Sequence, residues 1–172
     1  GASPLRLALE RSDLSASASP LCGLEESHME MNFVCGVEGS NPESADKVEE
    51  LILDVLETIC SEGIDSESLE SALYQLELSQ REIGGDGWPY GLQIIFSCMP
   101  AAIHRGDPIA LIDIENALLD LREEIKDPDF IKKLIRELLL DNPHRVRVVM
   151  KPNRDLGARL VQDEKNRLAK LK

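Results

Sequence analysis

The stretch VEELILDVLETICSEG, residues 48–63, decides how the rest of this chain is read. Val48, Leu51, Ile52, Val55, Leu56 and Ile59 recur at the i, i+3, i+4, i+7 spacing of a helix that buries one face. Asn41-Pro42 supplies its start and Gly63 its stop. Asp65 then caps a second helix, with a stripe of Leu69, Ala72, Leu73, Leu76 and, further on, Ile83. A connection of about four residues predicts that the two helices are antiparallel neighbours.

Downstream, helical spacing continues. Gly84-Gly85-Asp86-Gly87 breaks the pattern, and Leu92, Ile95, Phe96 and Met99 restore it until Pro100, which should kink or end that helix. Asp107-Pro108 predicts a new helix carrying Leu111, Ile114, Leu118, Leu121 and Ile125. Asp127-Pro128 predicts the next, with Ile131, Leu134, Ile135 and Leu138. After Asn142-Pro143, residues 144–150 alternate, with Val146, Val148 and Met150 on one face, as in a strand. Pro152-Asn153 interrupts, and residues 154–172 read as a charged helix with a sparse stripe of Leu156, Leu160, Leu168 and Leu171.

Upstream, Ser3-Pro4 starts a short helix with Leu5, Ala8 and Leu9 on one face. Residues 12–20 are rich in Ser and Ala and read as loop. Residues 29–37 alternate, and Met29, Met31, Phe33, Cys35 and Val37 are expected to face a core. The class is therefore α+β and helix-rich, with few strands, at about 29–37 and 144–150. Two such strands, separated by about a hundred residues of helix, do not make a stable sheet together, so their partners are expected outside the chain.

The 172 residues carry a net charge of −13, unevenly spread. Residues 1–142 hold 10 Lys and Arg against 29 Asp and Glu, a balance of −19; residues 143–172 hold 9 against 3, a balance of +6. An acidic body repels a phosphate backbone, so nucleic acid is not an expected partner, whereas a basic peptide would be attracted. No apolar run approaches the ~18 residues of a membrane span, so no membrane partner is expected. Cys22, Cys35, Cys60 and Cys98 form no C-x-x-C pair; core thiols in a reducing compartment are the expectation.

The search for chemistry ends without a reaction centre. An inverted zinc-peptidase motif, H-x-x-E-H, needs two histidines on one helix face. His28, His104 and His144 are too far apart in sequence for that. His28-Met29-Glu30 has the look of a deaminase motif but lacks its P-C-x-x-C partner. There is no G-x-S-x-G elbow, and no G-K-[ST] follows the glycine-rich break. Glu49-Glu50 and Glu123-Glu124 read as solvated helix faces. No catalytic, metal-binding or cofactor-binding residue is expected in the chain.

Several segments, in order, resemble one family. They are Ser3-Pro4-Leu5 with Ala8-Leu9-Glu10, Ser19-Pro20 with Cys22-Gly23-Leu24, and Phe33-Val34-Cys35-Gly36-Val37. Gly63-Ile64-Asp65 follows, running on to Glu70-Ser71-Ala72-Leu73-Tyr74-Gln75-Leu76-Glu77, then Gly91-Leu92-Gln93 and Gly106-Asp107-Pro108. Asn142-Pro143-His144-Arg145-Val146, Lys151-Pro152 and Glu164-Lys165 complete the set. Together they resemble the presequence-protease branch of the pitrilysin/insulinase family of zinc metallopeptidases. The resemblance implies an internal fragment: residues 1–151 as the later part of a second peptidase-like α+β domain, and residues 152–172 as the first arm of a helical hinge. It implies zinc held elsewhere in a longer enzyme that degrades short unstructured peptides inside a closed chamber, with the remaining domains of the same polypeptide as partners. It also implies a cytoplasmic location if the source is bacterial, or else the mitochondrial matrix or chloroplast stroma. Two other readings stay open: a non-catalytic helical interaction module, and an inactive peptidase-like subunit.

Overall fold

The computed structural model describes residues 3–81 and 87–171. Ile83, Gly84, Gly85, Asp86 and Lys172, which figure in the sequence reading, lie outside the described residues. Seven α-helices are present among the described residues: α1 (Pro4–Arg11), α2 (Ala45–Glu62), α3 (Ser66–Arg81), α4 (Tyr90–Ile103), α5 (Glu115–Glu124), α6 (Phe130–Ile135) and α7 (Leu156–Lys170). Four short strands lie between α1 and α2: β1 (Ser17–Ala18), β2 (Gly23–Glu25), β3 (Asn32–Val34) and β4 (Val37–Glu38). The α+β, helix-rich class read from the sequence is met.

Local chemistry explains the boundaries. The Ser3 hydroxyl accepts the Arg6 amide at 3.3 Å, and Pro4 needs no donor at the first turn of α1. A single 3-10 turn, Pro42–Ser44, leads into α2, and the Asn41 side chain accepts the Glu43 amide. Gly63 ends α2 at φ 84°, ψ −173°, a conformation open essentially to glycine alone. A Cβ there would also sit 3.0 Å from Lys132 Cε. Asp65 accepts the Ser68 amide at 2.8 Å and so caps α3 as expected.

The strands form one interrupted ribbon. β1 pairs antiparallel with β4, setting Ser17 opposite Glu38. β2 pairs antiparallel with β3, setting Gly23 opposite Val34 and Glu25 opposite Asn32. Between the two ladders, Ser19–Cys22 on one side faces only Cys35 and Gly36 on the other. The extra length is taken up in a turn closed from the Cys22 amide to the Ser19 carbonyl, 3.1 Å. Gly39 lets the ribbon close, because a Cβ there would meet Ala16 Cβ at 2.7 Å.

The core is small. Leu5, Leu9, Leu56, Ile59, Leu73 and Leu118 are its buried apolar residues. α1 and α6 pack on α2, bringing Leu5 and Leu9 to the Leu56–Ile59 turn. Cys60 donates to the Lys132 carbonyl at 3.5 Å, and Arg136 pairs with Glu57 at 2.7 Å across the same seam. α6 runs on into a π-helical turn, Arg136–Leu140, closed by the Asp141 amide on the Arg136 carbonyl.

Five expectations need correction. Residues 29–37 do not form one strand: only 32–34 and 37–38 pair, and Met29 and Met31 are 79% and 66% exposed. Phe33 is exposed as well, while Cys35 and Val37 are half-buried. Their partners are within the chain, in 17–25, part of which the Ser-rich composition marks as loop; two-residue strands are too short to carry an alternating signature. Residues 144–150 have no regular secondary structure and no ladder partner, with Val146, Val148 and Met150 each more than three-quarters exposed. Pro100 was expected to kink or end α4; the helix does not end there but continues to Ile103, although the proline has no amide to donate to the Phe96 carbonyl one turn back. Asp107-Pro108 opens turns rather than a helix, and α5 begins only at Glu115. Finally, α2 takes its close neighbours from α1 and α6 and not from α3. Ion pairs tie α3 to α5 instead, from Arg122 to Glu77 and from Arg81 to Glu115.

Candidate functional site

Two surfaces stand out. The first is an acidic cleft on the N-terminal half of α2. Asp46, Glu49, Glu50, Leu53 and Asp54 line a wide-mouthed cavity of about 390 Å³, with Arg147 reaching across from the chain after Pro143. Helical spacing puts these carboxylates on one side of α2. Arg147 donates to Asp46 and to Glu49 Oε2, the latter at 2.9 Å. The hydrogen bond from Asp46, then its charge, raises the Arg147 guanidinium above its ordinary value. Two residues earlier, Arg145 donates to the Leu139 and Leu140 carbonyls at 3.2 and 2.8 Å. It satisfies acceptors that the end of a helix leaves free. The opposite charges of the two ends of the chain are thus partly folded onto each other.

The second surface is an apolar cavity of about 280 Å³ between α1, the β2–β3 ribbon, the last turn of α2 and the π-helical turn. Leu5, Leu9, Phe33, Leu56, Ile59 and Leu139 are among its walls. Its walls are mainly apolar, and among the described residues no charged group is buried.

His28 and His144 are exposed. The His104 ring lies 3.3 Å from the Ser27 carbonyl, joining the end of α4 to the ribbon's turn. Among the described residues, no three His, Cys, Asp or Glu side chains converge to hold a metal ion. Among the same residues, no helix is long and apolar enough to cross a membrane.

The largest feature is what stays uncovered. The chain exposes 13666 Å², whereas a compact monomer of its 19.1 kDa exposes about 8,400 Å². Ile95, Phe96, Ile103, Ile109 and Leu111 are all near half exposed or more. α7 buries none of its residues, and Leu156, Leu160, Leu168 and Leu171 are open to solvent. A helix-rich segment with an acidic body and large uncovered apolar faces is the kind of protein described so far.

Sequence comparison narrows this. No protein-family model matches the chain. It is 32% identical to presequence protease 1, chloroplastic/mitochondrial, of Arabidopsis thaliana, across 99% of the chain and 16% of that protein. It is 29% identical to the mitochondrial presequence protease of Yarrowia lipolytica, across 98% of the chain and 17% of that protein. A Clostridium perfringens protein named HypA is 22% identical, again across 99% of the chain. Over nearly its whole length, therefore, the chain is similar in sequence to proteins named presequence proteases. It spans about one sixth of the length of the curated relatives it matches.

Proposed function

We propose that this chain forms part of the wall and hinge of a zinc metalloendopeptidase that degrades short unstructured peptides in a closed chamber. The observation that carries the reading is the continuous similarity to presequence proteases along one sixth of their length. In this reading residues 1–151 are the later part of a second pitrilysin-type α+β domain, and 152–172 are the first arm of a helical hinge. Zinc and the catalytic carboxylate come from parts of the enzyme other than these residues. The remaining domains of the same polypeptide cover the exposed apolar faces. The uncovered area supports this: its excess over a compact monomer is several times the ~800 Å² that one partner contributes to an ordinary interface. The unpacked α7 supports a hinge arm, because such a helix needs another surface to bury its leucines.

The acidic body suits basic peptides, which it would concentrate near the chamber. Organellar location, the mitochondrial matrix or chloroplast stroma, accords with the names of the relatives; a bacterial source would place the enzyme in the cytoplasm. The test is zinc analysis and peptide cleavage on the 172-residue chain and on the full-length protein. The full-length protein should bind zinc and cleave, and the chain alone should do neither. Stoichiometric zinc with cleavage by the chain alone would refute the assignment. For charge selection, cleavage of basic and acidic peptides of equal length should differ at low salt and converge at high salt.

A further inference from the structure

The ribbon carries a pair of groups that the peptidase reading does not use. The β2–β3 ladder ends at Gly23 opposite Val34, and Cys22 and Cys35 are the next residues on its two sides. Directly opposed residues of an antiparallel pair have Cα atoms about 4.5–5.5 Å apart, inside the roughly 4.4–6.8 Å that a disulfide spans. Both thiols are free and half-buried. Cys22 is held in place: its thiol donates to the Gly36 carbonyl at 3.3 Å and its sulfur accepts the Gly36 amide at 3.4 Å. Cys22 therefore lies beside the backbone of Gly36, the residue that follows Cys35. The other cysteines have no such partner in the sequence of elements: Cys60 lies on α2, bonded to the Lys132 carbonyl, and Cys98 lies on α4.

We propose that Cys22 and Cys35 form a reversible disulfide, driven by a small-molecule disulfide of the glutathione class, that fastens β2 to β3 beside the apolar cavity. The Cys22 thiolate attacks one sulfur of the oxidant RSSR, giving Cys22–S–S–R and releasing RS⁻. Cys35 then gives up its proton, its sulfur displaces the R-thiolate from Cys22, and a second RSH leaves. Two protein thiols lose two electrons, and one RSSR gains them as two RSH. The order of attack follows from the surroundings. Burial, and then the neighbouring Cys22, pushes the Cys35 thiol up to about 12, so Cys35 is the poorer attacking thiol. Once Cys22 carries the R group, Cys35 beside it is placed to act as the resolving group. The bond would close the loop that carries the exposed Met29 and Met31. Reduction would release it.

The full-length protein, reduced and native, is incubated with oxidised glutathione, alkylated and digested with a glutamyl endopeptidase. Cleavage after Glu25, Glu26 or Glu30 separates the two cysteines, so a disulfide appears as a linked peptide pair that dithiothreitol resolves. Linkage of Cys22 to Cys35 at about tenfold or more over any other pairing is expected. Absence of that pair, or preferential linkage of either cysteine to Cys60, Cys98 or a second copy, would overturn the proposal. The variant Cys35→Ser should hold glutathione stably on Cys22, and Cys22→Ser should leave Cys35 reduced over the same time. Equal adduct formation on both variants would overturn the order of attack.

Discussion

The packed end around Leu9 and the arm formed by residues 144–171 are both rich in aliphatic side chains, yet they behave as opposites. Leu9 is 1% exposed and Val146 is 86% exposed. At the packed end, α1, α2 and α6 are brought together by stripes that face one another, and the result is a core. The arm has a stripe on α7 and an alternating segment before it, and neither has a buried apolar side chain. The comparison teaches that amphipathic pattern specifies which side of an element wants covering, while the partner must be supplied separately. One region found its partner within these residues; the other is held to the body mainly by the charges of Arg145 and Arg147.

The comparison can be broken most severely at Leu9. Leu9→Ala should lower the urea-unfolding stability of the chain by about 3 kcal/mol, because it empties space beside a cavity that is already underfilled. Gly63→Ala should come next, at about 2 kcal/mol, since alanine meets both a forbidden backbone region and Lys132. Circular dichroism should show the α2 end fraying in that variant.

A pH titration probes a weaker element of the body. The Ser68 hydrogen bonds hold the Asp65 carboxyl below its ordinary value. A lowered folded value means that its contribution is complete above pH ~4 and is lost as pH falls through the folded value. Helix content of α3 should therefore decrease on acidification, and Asp65→Ala should remove that step. Arg147→Gln should have a smaller effect still. It should loosen residues 144–150 in hydrogen exchange at low salt and change little at high salt, since exposed ion pairs are screened. The smallest effect is expected from Leu160→Ser, within about 0.5 kcal/mol on the chain alone. The same substitution should impair the full-length protein if α7 docks on another part of it. Equal effects in both would show that α7 is a free helix.

Most helices were legible because they carry local information. Ser3-Pro4, Gly63 and Asp65 mark boundaries through backbone chemistry that needs no tertiary partner. The ribbon was legible only in part. β1 and β4 are two residues each, and Ser17, Ala18, Val37 and Glu38 show no alternation on so short a length. What pairs them is the close approach of Gly39 to Ala16, a non-local contact, together with the local turn closed between Ser19 and Cys22. The acidic cleft was half visible. The opposite charges of residues 1–142 and 143–172 are plain in the sequence, but the choice of Arg147 for Asp46 and Glu49 spans about a hundred residues and has no local mark. The placing of Cys22 and Cys35 at the end of the β2–β3 ladder is likewise a matter of register.

By itself, then, the sequence determined the helix-rich class, the position of the principal helix 45–62, the acidic body with a basic end, and the likeness to presequence proteases. These depend on short-range spacing, on composition and on shared residues in order. Only the tertiary structure decided that α2 packs with α1 and α6, that 17–25 pairs with 32–38, and that the arm and 144–150 stay uncovered. Those outcomes depend on which apolar faces meet, and an apolar stripe carries no record of its partner.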